Sequence, residues 1–324
     1  MAIINNITNF TSSPLSVLTL TLGVLVAFYI QREYTESKAC SPETRKRRAI
    51  LITGASRGIG KTIALHLSSL GYTVFGSVRS QASADKLISA SKDNNDNNNK
   101  VQEHGQIIPV IFDVTKDTEI QTAVTTIEKV CQEKELDFTA LINNAGINPE
   151  GDQYATVFGE SGKAPANMLS DSALVTNVFD TNVVGCFRVT KAFLPLLQKV
   201  KNGEASIVLV GSFFGSIAGA LNLSHLAYES SKFALEGLAD GLRRGLKKEH
   251  ITVTLIKPGN IQTEMNKMAG EVSPLVVAND ILVAIEDPNP SARYYPGLVQ
   301  GTSCKLACMF FSLFPTWITD KQLS

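Results

Sequence analysis

In the run Ala227-Tyr228-Glu229-Ser230-Ser231-Lys232 a phenol and an amine stand four residues apart, a spacing that a helix turns onto one face. An ammonium beside a phenol favours the phenolate. A phenol that can give and retake a proton is the acid/base that an alcohol or carbonyl needs while a hydride moves. Solvated helices carry Tyr and Lys at this spacing too, so a second signal has to accompany it. That signal is the glycine-rich turn Thr53-Gly54-Ala55-Ser56-Arg57-Gly58-Ile59-Gly60. It follows an apolar run at residues 48–53, of the kind that forms a strand buried on both faces. It precedes a stretch in which Ile63, Ala64, Leu67 and Leu70 share a helical face before Gly71 stops it. Strand, turn and helix form the first half of a dinucleotide site: glycines let the backbone approach a pyrophosphate, whose charge sits at the helix N-terminus.

The elements that must position these groups recur along the chain. Apolar runs at 73–78, 107–112, 139–142, 206–210 and 252–256 alternate with helical segments, which predicts an α/β fold with a doubly wound parallel sheet. With Thr53 ahead of Gly-x-x-x-Gly-x-Gly and with Tyr-x-x-x-Lys, the chain resembles the short-chain dehydrogenase/reductase family. Further matches come in family order across residues 48–265: Asp113-Val114-Thr115, Asn143-Asn144-Ala145-Gly146, Asn182 in Thr181-Asn182-Val183-Val184-Gly185, Gly211-Ser212, and Pro258-Gly259-Asn260-Ile261-Gln262-Thr263. The segments 231–238 and 292–297 most resemble the branch containing retinol, 17β-hydroxysteroid and 3-hydroxybutyrate dehydrogenases.

The resemblance implies a Rossmann-type sheet of about seven strands and an oxidoreductase interconverting an alcohol with its ketone or aldehyde. It makes Tyr228 the acid/base, with Lys232 and the positive nicotinamide ring lowering the phenol's pKa and Lys232 also binding the nicotinamide ribose. Asn182 would hold a relay water or brace its helix, and Ser212 would donate a hydrogen bond to the substrate oxygen. Sixteen positions separate Ser212 from Tyr228, more than family members generally show, and Ser216 stands twelve before Tyr228 as the alternative. Cofactor contacts are expected from Thr53, Gly54, Ser56, Arg57, Gly58, Ile59, Gly60, Arg79, Asp113, Val114, Asn144, Ala145, Gly146, Tyr228, Lys232, Pro258, Gly259, Ile261 and Thr263. The second strand ends in Val78-Arg79 with no carboxylate. Arg57 and Arg79, where a 2′-phosphate would sit, favour NADP, with NAD as the alternative. A non-catalytic dinucleotide sensor or scaffold is the rival reading, and His225 reads as a loop or substrate-cleft residue.

The 324 residues carry 30 basic and 30 acidic side chains, so nothing in the charge points to nucleic acid. Five scattered cysteines suit a reducing compartment; Cys304 and Cys308 can share a helix face, yet no metal site is expected. No charged side chain occurs in the first thirty residues, and 14–30 is apolar enough to enter a bilayer. Residues 1–31 are therefore expected to anchor the protein in a membrane, that of the endoplasmic reticulum by preference. The basic linker at 32–47 would keep the catalytic body cytosolic, and the sequons at Asn6 and Asn9 would face the lumen. The expected catalytic domain spans 48–300, interrupted by an Asn-rich disordered loop at 91–100. An apolar extension follows at 301–324; its residues 306–318 suit a packed helix, a cleft wall or a surface on lipid. Anchor and extension together suggest a small lipophilic substrate. Leu235, Leu238, Ala239, Leu242 and Leu246 fit either core packing or a homodimer face.

Overall fold

The computed structural model describes residues 40–97, 105–148, 172–200, 204–218, 225–263, 272–299 and 301–313. The expected anchor, most of the basic linker and the end of the apolar extension lie outside them. Among the described residues no helix is long and apolar enough to cross a membrane.

Seven parallel strands make one sheet: β1 (Arg48–Ile52), β2 (Thr73–Val78), β3 (Ile107–Ile111), β4 (Asp137–Asn143), β5 (Ala205–Val210), β6 (Ile251–Ile256) and β7 (Arg293–Tyr294). Their order is β3-β2-β1-β4-β5-β6-β7. The doubly wound sheet and its six apolar strands stand where the sequence predicts them, with ends shifted by a residue or two. β7 was not read as a strand, because two residues carry no periodicity.

Alternation along each strand explains the three layers. Ala49, Leu51, Phe75, Leu141, Ile207, Leu209 and Leu255 face one core layer; Ile50, Ile52, Val74, Ile142, Val208 and Ile256 face the other. The first layer is closed by α4 (Asp117–Glu133), α6 (Gly185–Leu197) and α7 (Leu226–Gly245), through Ile120, Ile127, Val189, Phe193 and Leu235. The second is closed by α2 (Gly58–Ser69), α3 (Gln81–Asn97) and α8 (Leu275–Glu286), through Ile63, Leu67, Leu87, Val277 and Ile281. Each fully buried aliphatic side chain contributes roughly 1.5–3 kcal/mol, which is why the strands read as continuous apolar runs.

Two expectations change and one open alternative is resolved. The Asn-rich stretch is not a loop from its start: α3 runs on through Asn97. Helix nucleated at Gln81 and fixed by buried Ala84 and Leu87 propagates through asparagines, each costing only a fraction of a kcal/mol. The end of the basic linker is also built into the domain. Residues Pro42–Lys46 form helix α1, capped by Ser41, and Arg45 pairs with Glu286 of α8, Nε to Oε1 at 2.7 Å and Nη2 to Oε2 at 3.2 Å. Tyr72 donates to the same carboxylate at 2.6 Å. Finally, Leu235, Leu238, Ala239 and Leu246 are buried in this copy's own core, with Leu242 packed against it. The outward face of α7 carries Phe233, Gly237, Gly241 and Gly245 instead.

Past β7, the antiparallel pair β8 (Leu298–Val299) and β9 (Thr302–Ser303) leads into α9 (Cys304–Leu313). This helix turns Cys304 and Cys308 inward and leaves Leu306, Met309 and Leu313 exposed.

Candidate active site

The strand order reverses between β1 and β4, and the loops leaving their carboxyl ends are fastened to each other there. Thr53 Oγ1 accepts from the backbone N–H of Asn144 and of Ala145, both at 2.9 Å. Asn144 Nδ2 in turn donates to Thr53 O at 2.9 Å and Gly54 O at 3.2 Å. Thr53 and Asn144 thus hold two loops in register. Gly60 packs into this staple so closely that a Cβ would lie 2.3 Å from Gly54 O and 2.5 Å from Asn144 Nδ2. Gly54 and Gly58 have φ of +70° and +53°, open to glycine at little strain. Gly54 N also donates to Ser77 Oγ at 3.0 Å, which ties the turn to β2.

Helix α2 starts at this turn with Arg57 as its N-cap, and no side chain caps its first turn. Its leading N–H groups and dipole are therefore free of a side-chain cap and suited to an anion. Ser56, Arg57 and Arg79 are exposed and Ile59 is half-buried around it. Burial would raise the pKa of Asp113, but hydrogen bonds from Thr115 N and Oγ1, both 2.8 Å, and the positive Arg79 and Lys116 outweigh it. The carboxyl is held below its ordinary range. Val114 is buried beside Gly185, where an added Cβ would meet it at 2.8 Å.

Between α5 (Ser172–Phe179) and α6, residues Asp180–Val184 form one π-helical turn. It aims Asn182 inward, 2% exposed: Oδ1 accepts from Ile147 N at 2.8 Å, and Nδ2 donates to Ile147 O and Ser231 Oγ, both at 3.0 Å. Ser231 Oγ donates onward to Tyr228 O at 2.6 Å. Gly146 lies alongside, 3.2 Å from Asn182 Oδ1 at the position of an added Cβ.

Tyr228 and Lys232 share a face of α7, the ammonium 5.4 Å from the ring centroid. Lys232 Nζ donates to Val210 O, the end of β5, at 3.0 Å. Ser212, two residues on, stands near enough to the Tyr228 side chain to lower its pKa. Ser212 Oγ accepts from Phe214 N at 3.2 Å, and its O–H remains available to donate. The Phe214 ring meets the Tyr228 ring edge-on at 6.3 Å. Ser216 goes elsewhere: the Lys257 ammonium donates to its hydroxyl and pairs with Glu236 at 2.5 Å. Glu236 also binds Arg293 at 2.9 Å.

The electrostatics reverse one expectation. Burial, not the neighbouring cation, dominates Tyr228; its pKa is pushed up to about 12, against a lowering contribution from Ser212 and a raising one from Glu229. Burial also lowers Lys232 to about 8. The phenol is therefore a proton donor at neutral pH. His225, the N-cap of α7, is 7% exposed, and burial lowers its pKa.

The segment after β6 is closely fitted. Gly259 N donates to Pro296 O at 2.9 Å and Asn260 N to Leu298 O at 2.7 Å, and a Cβ on Gly259 would come 2.3 Å from Leu298 O. Pro258 and Ile261 are buried, and Thr263 lies 3.5 Å from the position of a Cβ on Gly58, across the glycine turn. Sequence reasoning missed Ser77, Ser231 and Lys257. Ser231 was in view inside the Tyr–Lys run, whereas Lys257, next to a proline after a strand, reads as a solvated charge until its Glu236 partner is known.

A doubly wound sheet whose switch point ends in a glycine turn and an uncapped helix defines a dinucleotide-binding α/β protein. Residues 48–273 match the short chain dehydrogenase family, and the chain belongs to it. It is 29% identical over 242 residues to the mitochondrial D-beta-hydroxybutyrate dehydrogenase of Bos taurus, covering 74% of this chain and 62% of that one. It is 29% identical over 293 residues to estradiol 17-beta-dehydrogenase 2 of Mus musculus, covering 78% and 68%. The alignment thus spans less than two-thirds of the bovine enzyme. Among solved structures, a short chain dehydrogenase from Burkholderia cenocepacia in complex with NADP superposes with a TM-score of 0.64 at 22% identity, covering 87% of this chain and 99% of that one.

Proposed function

We propose that this protein is an NADP(H)-dependent oxidoreductase that interconverts a lipophilic alcohol, retinoid, steroid or lipid-like, with its ketone or aldehyde. The observation that carries the reading is the convergence of Tyr228, Ser212 and Lys232 at the carboxyl end of β5, beside the switch point. The uncapped start of α2 and the glycine turn suit the pyrophosphate; Asp113 and Val114 flank the adenine, and 258–263 the nicotinamide carboxamide. Arg57 and Arg79 suit a 2′-phosphate, since β2 ends without a carboxylate. When bound, the dinucleotide supplies or accepts the hydride.

The protein's own groups handle the proton. Tyr228, un-ionised at neutral pH, gives its proton to the carbonyl oxygen during reduction, while the Ser212 O–H donates a hydrogen bond to that oxygen. The Lys232 ammonium steadies the phenolate left behind. Asn182 braces α6 against Ile147 and Ser231, fixing the turn of α7 that carries Tyr228.

The apolar segment 14–30 suits a membrane anchor with the body on the cytosolic side, and the exposed Leu306, Met309 and Leu313 of α9 accord with a lipophilic environment. Val184, Phe187 and Phe233, each at least 40% exposed beside the outward glycines of α7, support a homodimer through this face.

The test is oxidation of NADPH by the full chain in detergent, driven by a panel of lipophilic aldehydes and ketones. Wild type turns over and Tyr228→Phe loses about 10²–10⁴-fold in kcat with NADPH affinity kept. Tight NADPH binding without turnover across the panel would instead mark a sensor. Arg79→Asp should move preference towards NAD; an unchanged NADP/NAD ratio removes Arg79 from the assignment.

A further inference from the structure

Lys257 is a cation in the interior, 2% exposed, at the point where β6 gives way to the segment 258–263. Its backbone is fixed on both sides: Lys257 N donates to Tyr294 O at 2.8 Å, and Lys257 O accepts from the Cys304 thiol at 3.3 Å. The ammonium lies 5.8 Å from the Tyr295 ring centroid and 2.5 Å from Glu236 Oε1, and it donates to the Ser216 hydroxyl. Glu236 stands one turn beyond Lys232 on α7, and its other oxygen takes Arg293 Nε at 2.9 Å. Arg293 reaches on to Asp240, a further turn along, at 3.2 Å. A buried ion pair is often no more stable than apolar side chains of the same volume; what it can fix is geometry.

The geometry fixed here is that of a turn. Residues Phe213–Gly215 form one 3₁₀ turn between Ser212 and Ser216, closed by Gly215 N to Ser212 O at 3.0 Å and Ser216 N to Phe213 O at 2.9 Å. Backbone bonds to the end of β6 and the residues after it hold its leading end: Gly211 N donates to Ile256 O at 2.7 Å and Phe213 N to Pro258 O at 3.0 Å. Its trailing end is held by the bond from Lys257 to Ser216. Between the two, Gly215 lies against α7, where an added Cβ would come 3.0 Å from Lys232 O and 3.1 Å from Glu236 Oε1. The middle of the turn is Phe214, which meets both Ser212 and Tyr228. Its N–H donates to Ser212 Oγ at 3.2 Å, which constrains the direction of that hydroxyl, and its ring meets the Tyr228 ring edge-on at 6.3 Å.

We propose that Lys257 is a positioning residue for the reaction: by holding Ser216 it seats the Phe213–Gly215 turn on α7, and through Phe214 it sets the Ser212 hydroxyl and the Tyr228 ring. Lys257 acts only through Ser216. The catalytic half of this proposal rests on the reading of Ser212 and Tyr228 as the groups that meet the substrate oxygen; the clamp on the turn does not. A misplacement of about 1 Å can cost about 10²-fold in rate, and a turn still held at its leading end loses less, about tenfold.

The experiment compares Ser216→Ala, Ser216→Thr, Lys257→Met and the double variant Ser216→Ala/Lys257→Met in the full chain in detergent. Ser216→Ala leaves Lys257 paired with Glu236, so it cuts the link without stranding a buried charge. Two quantities are read: amide hydrogen exchange over the peptide containing 212–216, and reduction by NADPH of whichever of retinal, estrone and decanal the wild type turns over fastest. The expected result is exchange several-fold faster at 212–216 in Ser216→Ala and in Lys257→Met, with the β1 and α2 peptides of Ser216→Ala unchanged. In both, kcat falls about tenfold with KM and NADPH affinity kept. Ser216→Thr, which keeps the hydroxyl, recovers the exchange rate and kcat, and the double variant falls no further than the worse single one. Wild-type exchange and kcat in Ser216→Ala overturn the proposal. A kcat fall without faster exchange makes Ser216 itself the substrate's partner and also overturns it, as do single effects that multiply in the double variant. Faster exchange with unchanged kcat overturns the catalytic half alone. A wild type that reduces none of the three removes the functional reading and the catalytic half together, while exchange still decides the clamp.

Discussion

Asn182→Leu separates the two roles that its position allows, bracing a helix or relaying a proton. The substitution keeps the branched outline of the side chain, at a larger volume, but removes three hydrogen bonds, to Ile147 N at 2.8 Å and to Ile147 O and Ser231 Oγ at 3.0 Å. Each is worth about 0.5–1.5 kcal/mol net, more where a buried partner is stranded. Ser231 keeps its bond to Tyr228 O, and half-buried Ile147 regains some contact with water. The sum is a loss of about 2–4 kcal/mol, measured as a shift of the urea midpoint at constant slope. In a heat scan this corresponds to roughly 5–15 °C. A bracing Asn182 loses stability and turnover together, because the turn carrying Tyr228 is freed. If stability changes by less than about 0.5 kcal/mol while turnover collapses, the bracing argument is wrong and the amide acts on protons alone.

Two further outcomes follow from the charges. Tyr228, at about 12, stays protonated over the working range, whereas Lys232, at about 8, loses its ammonium first. Carbonyl reduction should therefore hold at low pH and decline with a midpoint near 8, and Lys232→Arg should carry that decline above pH ~10; a wild-type profile flat to pH ~10 would show that the lysine charge is not needed. Glu286→Gln keeps the shape of the carboxylate but removes the charge facing Arg45 and Tyr72, so unfolding in urea should show about 1–3 kcal/mol lost, and a neutral result would mean α1 contributes nothing to the domain.

The strand framework was legible because buried parallel strands must be apolar on both faces, as Ile50 and Leu51 are when they point into opposite layers. The glycine turn and the Tyr228–Lys232 pair were legible because their spacing is itself the geometry. What stayed hidden depended on partners distant in sequence. The choice between Ser212 and Ser216 could not be made by counting, since both precede Tyr228 at plausible intervals; in space one stands near enough to the phenol to lower its pKa and the other is held by Lys257. How strongly burial opposes the lysine at Tyr228 was hidden for a similar reason: a nearby lysine is visible in a sequence, and burial is not. Likewise the leucine row of α7 fitted two surfaces equally until the sheet beneath it was known.

The π-helical turn at Asp180–Val184 lets one position be re-aimed without rotating its neighbours. A surplus residue widens a single coil, so the flanking stretches Ser172–Phe179 and Gly185–Leu197 keep the facings that an unbroken rod would give them. Shortening this coil by one amino acid would leave Val189 and Phe193 packed where they are and swing only the amide of residue 182 out of line. Insertions and deletions here act as an aiming screw for the site rather than as a threat to the scaffold.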